Sequence, residues 1–188
     1  MRKLIVFNHI TLDGYFVGEK GDFSWARIGN DDAEYSAFVA DNARGEGELL
    51  FGRITYELMA SYWPTAMADQ HDPVVAKRMN SMQKVVFSKT LDQALWSNTK
   101  LVKGDIVSEI LKMKNEPGPD MTIFGSGSII SHLAPEVVID EYQMVVDPVA
   151  LGKGRTMFEG INEKLTLKLT KTRTFNNGKI FLCYEPAA

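Results

Sequence analysis

The residues with most to offer chemically lie between 121 and 133, Met-Thr-Ile-Phe-Gly-Ser-Gly-Ser-Ile-Ile-Ser-His-Leu. Thr122, Ile123 and Phe124 are β-branched or aromatic and suit a buried strand, while Gly125 and Gly127 allow a sharp turn bare of side chains. A helix is predicted to start at the glycines. Its first N–H groups lack intrahelical acceptors and carry partial positive charge, so such a turn can take a phosphate on its backbone. A plain strand-to-helix turn is the alternative reading of this motif alone. Two other strand ends carry matching chemistry: Leu50-Phe51 runs into Gly52-Arg53-Ile54-Thr55, and Val86-Phe87 into Ser88-Lys89-Thr90. All three are read as strand-to-helix junctions, and in a parallel sheet they fall together at the C-terminal edge, where open α/β sheets bind ligands. Hydroxyls, backbone N–H groups and the cations Arg53 and Lys89 would converge there. That set fits a ligand with several phosphates, and a phosphorylated dinucleotide better than a mononucleotide.

Other chemistries are less well supplied. His9, His71 and His132 are far apart and none pairs with Cys183 at metal-ligand spacing, so no metal site is expected. Cys183, beside Leu182 and Tyr184, reads as a small buried hydrophobe rather than a nucleophile. Phe124 and Ser128 stand where a nucleophile elbow around Ser126 would need glycines. The run Gly152-Lys153-Gly154-Arg155-Thr156 lacks the leading glycine and the Lys-Ser/Thr pair of a P-loop. Gly125-Ser-Gly-Ser-Ile-Ile, with Asp147 about twenty residues on, is nearer to a dinucleotide fingerprint, but Ile130 replaces its third glycine.

The elements that must position these residues follow from periodicity. Residues 3–8 are read as a buried first strand, since Leu4, Ile5, Val6 and Phe7 form a continuous apolar run. A long polar loop to residue 30 carries Asp13, Gly14 and Trp25, the last read as exposed; long loops in compact domains are often functional. Asn30, Asp31 and Asp32 are potential N-caps for a helix to about residue 43, ended by Gly45 and Gly47. Strands are predicted at 48–51, 84–87, 101–102 and 139–147, and helices at 52–61, 71–82 and 105–114. Leu165, Leu167 and Leu169 alternate with polar residues as in a strand with one wet face, and Asn176-Asn177-Gly178 is a hairpin turn returning through residues 179–184. The reading is a single α/β domain over residues 1–188, with a mostly parallel central sheet, helices on both faces and an antiparallel C-terminal hairpin. Lys and Arg number 21 against 24 Asp and Glu, a net charge of −3, which offers no basic field for nucleic acid or an acidic membrane. No signal peptide or membrane span is expected, and the single cysteine excludes an internal disulfide, so the expected location is cytoplasmic.

Taken together, several blocks resemble the dihydrofolate reductase-like superfamily, and within it the C-terminal reductase domain of the bacterial bifunctional riboflavin-biosynthesis deaminase-reductase. They are Thr11-Leu-Asp-Gly14, Leu49-Leu-Phe-Gly-Arg-Ile-Thr-Tyr-Glu57, Val85-Val-Phe-Ser-Lys-Thr90, Ile123-Phe-Gly-Ser-Gly127, Asp140-Glu141, Pro148-Val-Ala-Leu-Gly-Lys-Gly-Arg155 and Phe175-Asn-Asn-Gly-Lys-Ile180. The resemblance implies a three-layer fold whose eight-stranded, largely parallel sheet binds NADPH at its C-terminal edge. By position, Gly52, Arg53 and Thr55 would hold phosphates, Ser88 and Lys89 would meet the adenosine end with its 2′-phosphate, and Gly125, Ser126, Gly127 and Ser128 the pyrophosphate. The implied activity is reduction of a small heterocycle, pterin-like or aminopyrimidine, by an enzyme similar to 5-amino-6-(5-phosphoribosylamino)uracil reductase or dihydrofolate reductase. Asp13 and Trp25 are the substrate-side candidates. A carboxylate on the first helix binds the pterin in dihydrofolate reductases, and Asp31, Asp32 and Glu34 do not align cleanly with it, which leaves the catalytic acid unassigned. A nucleotide-binding module without turnover is the rival reading. The resemblance also implies a homodimer, as does the sheet edge that the closing hairpin would leave bare.

Overall fold

The computed structural model describes residues 1–27, 32–44 and 46–187. The predicted caps Asn30 and Asp31 and the terminator Gly45 lie outside the described residues. Strands β1 (Leu4–Thr11), β3 (Glu48–Gly52), β4 (Gln83–Phe87), β5 (Thr99–Val102), β6 (Met121–Phe124), β7 (Glu141–Asp147), β9 (Leu167–Thr174) and β10 (Ile180–Pro186) form one eight-stranded sheet in the order β5-β4-β3-β6-β1-β7-β10-β9. All pairings are parallel except β7 with β10 and β10 with β9. A small second sheet pairs β2 (Tyr15–Val17) with β8 (Arg155–Thr156).

Helices α1 (Ala33–Arg44), α2 (Arg53–Tyr62), α3 (Ala66–His71), α4 (Pro73–Ser81), α5 (Ile106–Asn115) and α6 (Gly127–Leu133) cover the main sheet on both faces. Strand β3 touches both layers, since Leu49, Leu50 and Phe51 are all buried but belong alternately to two cores. Leu50 packs with Ile110 of α5 and Ile130 of α6, whereas Leu49 and Phe51 pack with Tyr56 of α2 and Met79 of α4. A strand wet on neither face needs this continuous apolar run. A third cluster joins Tyr35 and Phe38 of α1 to Val145, Phe175, Phe181 and Cys183.

Several boundaries depart from the sequence reading for local reasons. β1 runs three residues further than predicted, through His9, Ile10 and Thr11, because β7 pairs with it as far as Thr11 and Asp147. Asp32 does cap α1, its Oδ1 accepting from Tyr35 N at 2.7 Å. The helix predicted over 71–82 is broken at Asp72, whose φ/ψ is non-helical, and Pro73 opens α4 because its missing N–H costs nothing at a first turn. After β4 no helix starts. Ser88 Oγ accepts from Thr90 N at 3.2 Å and Leu91 N at 2.9 Å, so a side-chain turn takes the N–H groups a helix would have begun with. The predicted wet-and-dry alternation holds from half-buried Leu165 to exposed Lys168 and fails at Leu169. Leu167 is half-buried, every later residue of the strand is exposed, and Leu169 is 48% exposed.

Candidate active site

The turn after β6 is held by its neighbour across the sheet edge. Ser126 takes a left-handed conformation (φ 57°), and Gly125 has φ 67°. A Cβ on Gly125 would stand 2.8 Å from the Thr55 methyl, so only glycine fits there. Thr55 Oγ1 accepts from Ser126 N at 3.1 Å, and Ser126 Oγ accepts from Gly52 N at 2.9 Å. These two bonds lock the N-termini of α2 and α6 side by side. A Cβ on Gly127 would meet the Phe16 ring at 2.7 Å, because the small β2–β8 sheet lies across this turn.

The result is a cleft of about 1230 Å³. Gly52, Arg53, Thr55, Ser88, Lys89, Gly125, Ser126, Gly127 and Ser128 all line it, so the structure brings the nine cofactor candidates to one place. Lining charges are Lys20, Arg53, Lys89, Lys153 and Arg155 against Glu19 and Asp105: five cations to two carboxylates, in a chain of net charge −3. Such a local reversal focuses a field for anions that net charge does not announce. The cations are not idle. Arg53 Nη1 lies 3.0 Å from Glu57, one turn on along α2, and Arg155 Nε 3.1 Å from Glu159, both exposed pairs. Lys89 lowers the pKa of Asp105, after the larger effect of the Ser108 N–H and hydroxyl that this carboxylate accepts.

Asp13 and Trp25 are not brought to the cleft wall. Asp13 accepts from Leu151 N, from Gly152 N at 2.7 Å and from the Thr11 hydroxyl at 2.6 Å, bonds that pull its carboxyl below the usual range. It ties the loop after β1 to the glycine run after β7. Trp25, read as exposed, is buried to 4% exposure, with its indole N–H on Asp22 O and its ring edge-on to Phe23 at 5.3 Å. An indole that finds both an apolar bed and an acceptor is buried even within a polar segment.

Sequence reasoning missed the inner end, next to the glycine turn. Phe7, His9, Phe23 and Phe124 line it, Phe7 stacking on Phe124 at 5.6 Å. His9 Nδ1 lies 2.8 Å from Asp147 Oδ2, and Lys179 donates to the other oxygen of that carboxylate and, at 3.1 Å, to Ala26 O. The Tyr35 hydroxyl is 3.2 Å from His9 Nε2. Residues 9, 35, 147 and 179 share no motif. The only sequence signals were a histidine ending a strand and a lysine inside an otherwise apolar hairpin return. Among the described residues, no carboxylate of the first helix reaches the cleft. Asp32 caps that helix, and Glu34 pairs with Arg173 at 2.9 Å. No group of three His, Cys, Asp or Glu is placed to hold a metal ion, and no helix is long and apolar enough to cross a membrane, again among the described residues. Cys183 is buried, and its thiol is pushed up to about 11, first by desolvation.

Comparison with known proteins agrees with this architecture. Protein YyaP of Bacillus subtilis, itself uncharacterised, is 28% identical over 184 residues, covering 98% of this chain and 95% of that one. A crystal structure of a Shewanella sp. PV-4 protein assigned to riboflavin biosynthesis superposes with a TM-score of 0.74 at 24% identity over 99% of both chains. Dihydrofolate reductase from Enterococcus faecalis, solved with NADP(H), superposes with a TM-score of 0.64 at 15% identity over 99% of this chain and 97% of its own. The sheet is thus that of the dihydrofolate reductase-like fold. The model of the RibD C-terminal domain family matches residues 2–181, almost end to end, and the chain belongs to that family.

Proposed function

We propose that the protein is an NADPH-dependent reductase of a small heterocycle, pterin-like or aminopyrimidine, of the kind reduced in riboflavin and folate pathways. The observation that carries this reading is the convergence of nine glycine, hydroxyl and cationic positions on a cleft where cations outnumber carboxylates five to two. A turn bare of side chains at the start of a helix suits a dinucleotide's pyrophosphate, which backbone N–H groups can meet there. Gly125 to Ser128 and Gly52 would cradle it, with Arg53 on a phosphate and Ser88 and Lys89 at the adenosine end and its 2′-phosphate. Thr55 would act through the turn it holds, its oxygen being engaged by Ser126 N. Bound NADPH supplies the hydride, and the chain's part is to bind, orient and exclude water. Asp13 and Trp25 would serve the substrate by fixing the loop beside it rather than by touching it.

The rival, a nucleotide-binding module without turnover, draws on the absence of a first-helix carboxylate in the cleft among the described residues. Calorimetric titration with NADPH, followed by its oxidation with dihydrofolate and with 5-amino-6-(5-phosphoribosylamino)uracil, decides between them. Binding with consumption is the expected result. Binding without consumption favours the module, and no binding removes the cofactor reading. We further propose one domain over residues 1–188, a cytoplasmic location, no nucleic-acid or membrane partner, and a homodimer. For the dimer, β9 is an edge strand of the main sheet among the described residues, with Leu169 exposed. Sedimentation at the 21.0 kDa mass of one chain at all concentrations would remove that proposal.

A further inference from the structure

The reductase reading assigns no work to the polar chain at the inner end of the cleft. Phe7 and His9 lie two residues apart on β1 and so share a face of the sheet. Phe7 stacks on Phe124, with their planes 21° apart, and Phe23 stands edge-on to His9 at 6.1 Å and 90°. An imidazole among aromatic walls suits a flat conjugated ring carrying a polar atom to be placed against it. The imidazole is also held in one orientation. Asp147 is 1% exposed and Lys179 0%, and the two carboxylate oxygens are divided between the ammonium and His9 Nδ1. Nδ1 therefore carries a proton, which leaves Nε2 as the exchanging nitrogen. Tyr35 approaches Nε2 at 3.2 Å, the long end of a hydrogen bond. Burial, and secondarily the Asp147 charge, raise the phenol's pKa far above its ordinary value, so it stays an O–H donor. The charged and titratable groups facing His9 are thus Tyr35 from α1 and Asp147 from β7, with Lys179 behind the carboxylate.

We propose that His9 is the residue that meets the substrate and exchanges a proton with it, a ring nitrogen of the bound heterocycle taking the place of the Tyr35 hydroxyl at Nε2. The proposal rests on the reductase reading for its substrate class, a planar ring with a C=N bond, and for its reductant, a reduced nicotinamide. In the step, hydride goes to the carbon of C=N and the π electrons go to nitrogen, which takes the Nε2 proton of the imidazolium. C=N becomes CH–NH, and the nicotinamide is left oxidised. His9 is left neutral, with Nδ1–H still on Asp147, and regains its proton from water. Asp147, Lys179 and Tyr35 are positioning residues.

The test uses the full chain labelled with ¹⁵N-histidine, whose three histidines are told apart by the loss of one set of signals in His9→Gln. With NADP⁺ present, 5,6-diaminouracil and 7,8-dihydropterin are titrated in turn. The expected result is a fixed Nδ1–H tautomer for His9, lost in Asp147→Asn, and an Nε2 resonance that moves when either probe is added. A probe that binds by calorimetry without moving Nε2 overturns the proposal, as does failure of both probes to move it. If the probes move Nε2 although NADP⁺ does not bind, the cofactor reading falls and the His9 contact stands. With any compound that is reduced, His9→Gln should lower kcat by about 100-fold, within the usual range for removing a general acid. KM should change little. Wild-type kcat in His9→Gln overturns the proposal.

Discussion

At the glycine-lined end of the cleft the charges stand in water, Arg53 and Glu57 being 43% and 47% exposed, whereas at the inner end Asp147 and Lys179 are 1% and 0% exposed. Exposed charges are cheap to place and cheap to lose, because solvent screens them. Buried ones are expensive to place and costlier to leave alone. One cleft therefore holds a surface made for exchanging partners and a core made for keeping one arrangement. The largest expected effect breaks the second. Lys179→Met leaves a buried carboxylate without its ammonium and should cost about 3–5 kcal/mol of stability by urea unfolding. The double variant Lys179→Met/Asp147→Leu should recover part of that loss, since it removes the orphan charge. A loss under about 1 kcal/mol for the single variant would mean that the inner end tolerates charge as the surface does.

The two ends also differed in how far they could be read beforehand. Gly52-Arg53, Ser88-Lys89 and Gly125 to Ser128 are contiguous, and each stands at the end of an apolar run. Local residue types alone therefore carry both their position and their chemistry. The sheet could be read for the same reason, since Leu49-Leu50-Phe51 and Val85-Val86 are buried on both faces and leave little choice of element. The inner end is assembled from residues 9, 35, 147 and 179, and its meaning depends on β1 extending to Thr11 and on the hairpin returning beside β7. No window of sequence contains that pairing. The misreading of Trp25 and of the segment after β4 has a smaller cause. In both, a local hydrogen bond, indole to Asp22 O or Ser88 Oγ to two N–H groups, outweighed composition.

The glycine end combines a helix clamp with a two-stranded flap, and a pair of variants separates the two. Gly125→Ala combines a left-handed φ with a 2.8 Å contact to the Thr55 methyl, so about 3 kcal/mol of destabilisation is expected from strain and overpacking together. Gly127→Ala meets only the Phe16 ring edge, on a two-stranded flap that can give, and should cost about 1 kcal/mol. Both should weaken NADPH in calorimetry. Equal stability losses in urea would show the flap to be as fixed as the helix clamp.

Lys84 sharpens the contrast from outside the cleft, as a buried ammonium with carbonyls in place of a carboxylate. Its Nζ donates to Met79 O at 2.8 Å and Met82 O at 2.7 Å and lies 4.5 Å from the centre of the Trp96 ring. Desolvation pulls its pKa down to about 8. At Lys84 the unfolded chain then binds more protons than the folded one between about pH 8 and the ordinary lysine value near 10.4, so this residue's contribution to stability should rise with pH across that window, against an opposing loss from the Cys183 thiol, which ionises more readily unfolded. The gain should be on the order of 2 kcal/mol. Above pH 10 the sign reverses. Tyr142, pushed up to about 12 by burial, stays protonated in the fold while unfolded tyrosine ionises, so stability is lost there. Urea midpoints for wild type and Lys84→Met between pH 7 and 10 check this, the wild type being expected to gain stability relative to the variant as pH rises.

The smallest effect belongs to the exposed cations, and its size follows from their setting. A charge-assisted bond to the 2′-phosphate of NADPH is worth roughly 1.5–3 kcal/mol when formed in a protected site. Arg53 is nearly half exposed and gives up an ion pair to Glu57 on meeting a phosphate, which reduces its contribution to about 1 kcal/mol. Arg53→Ala and Lys89→Ala should each weaken NADPH about fivefold by calorimetry. If both residues reach the 2′-phosphate, wild-type preference for NADPH over NADH should exceed about tenfold, and each variant should lose much less NADH affinity than NADPH affinity. The difference should shrink as salt is raised, because exposed charges separated by more than a Debye length of about 10 Å at 0.1 M are screened. Equal losses for the two cofactors would move Arg53 and Lys89 to the shared pyrophosphate. No loss for either would leave them as surface charges, and the anion field of the cleft would then rest on Lys20, Lys153 and Arg155 of the flap side.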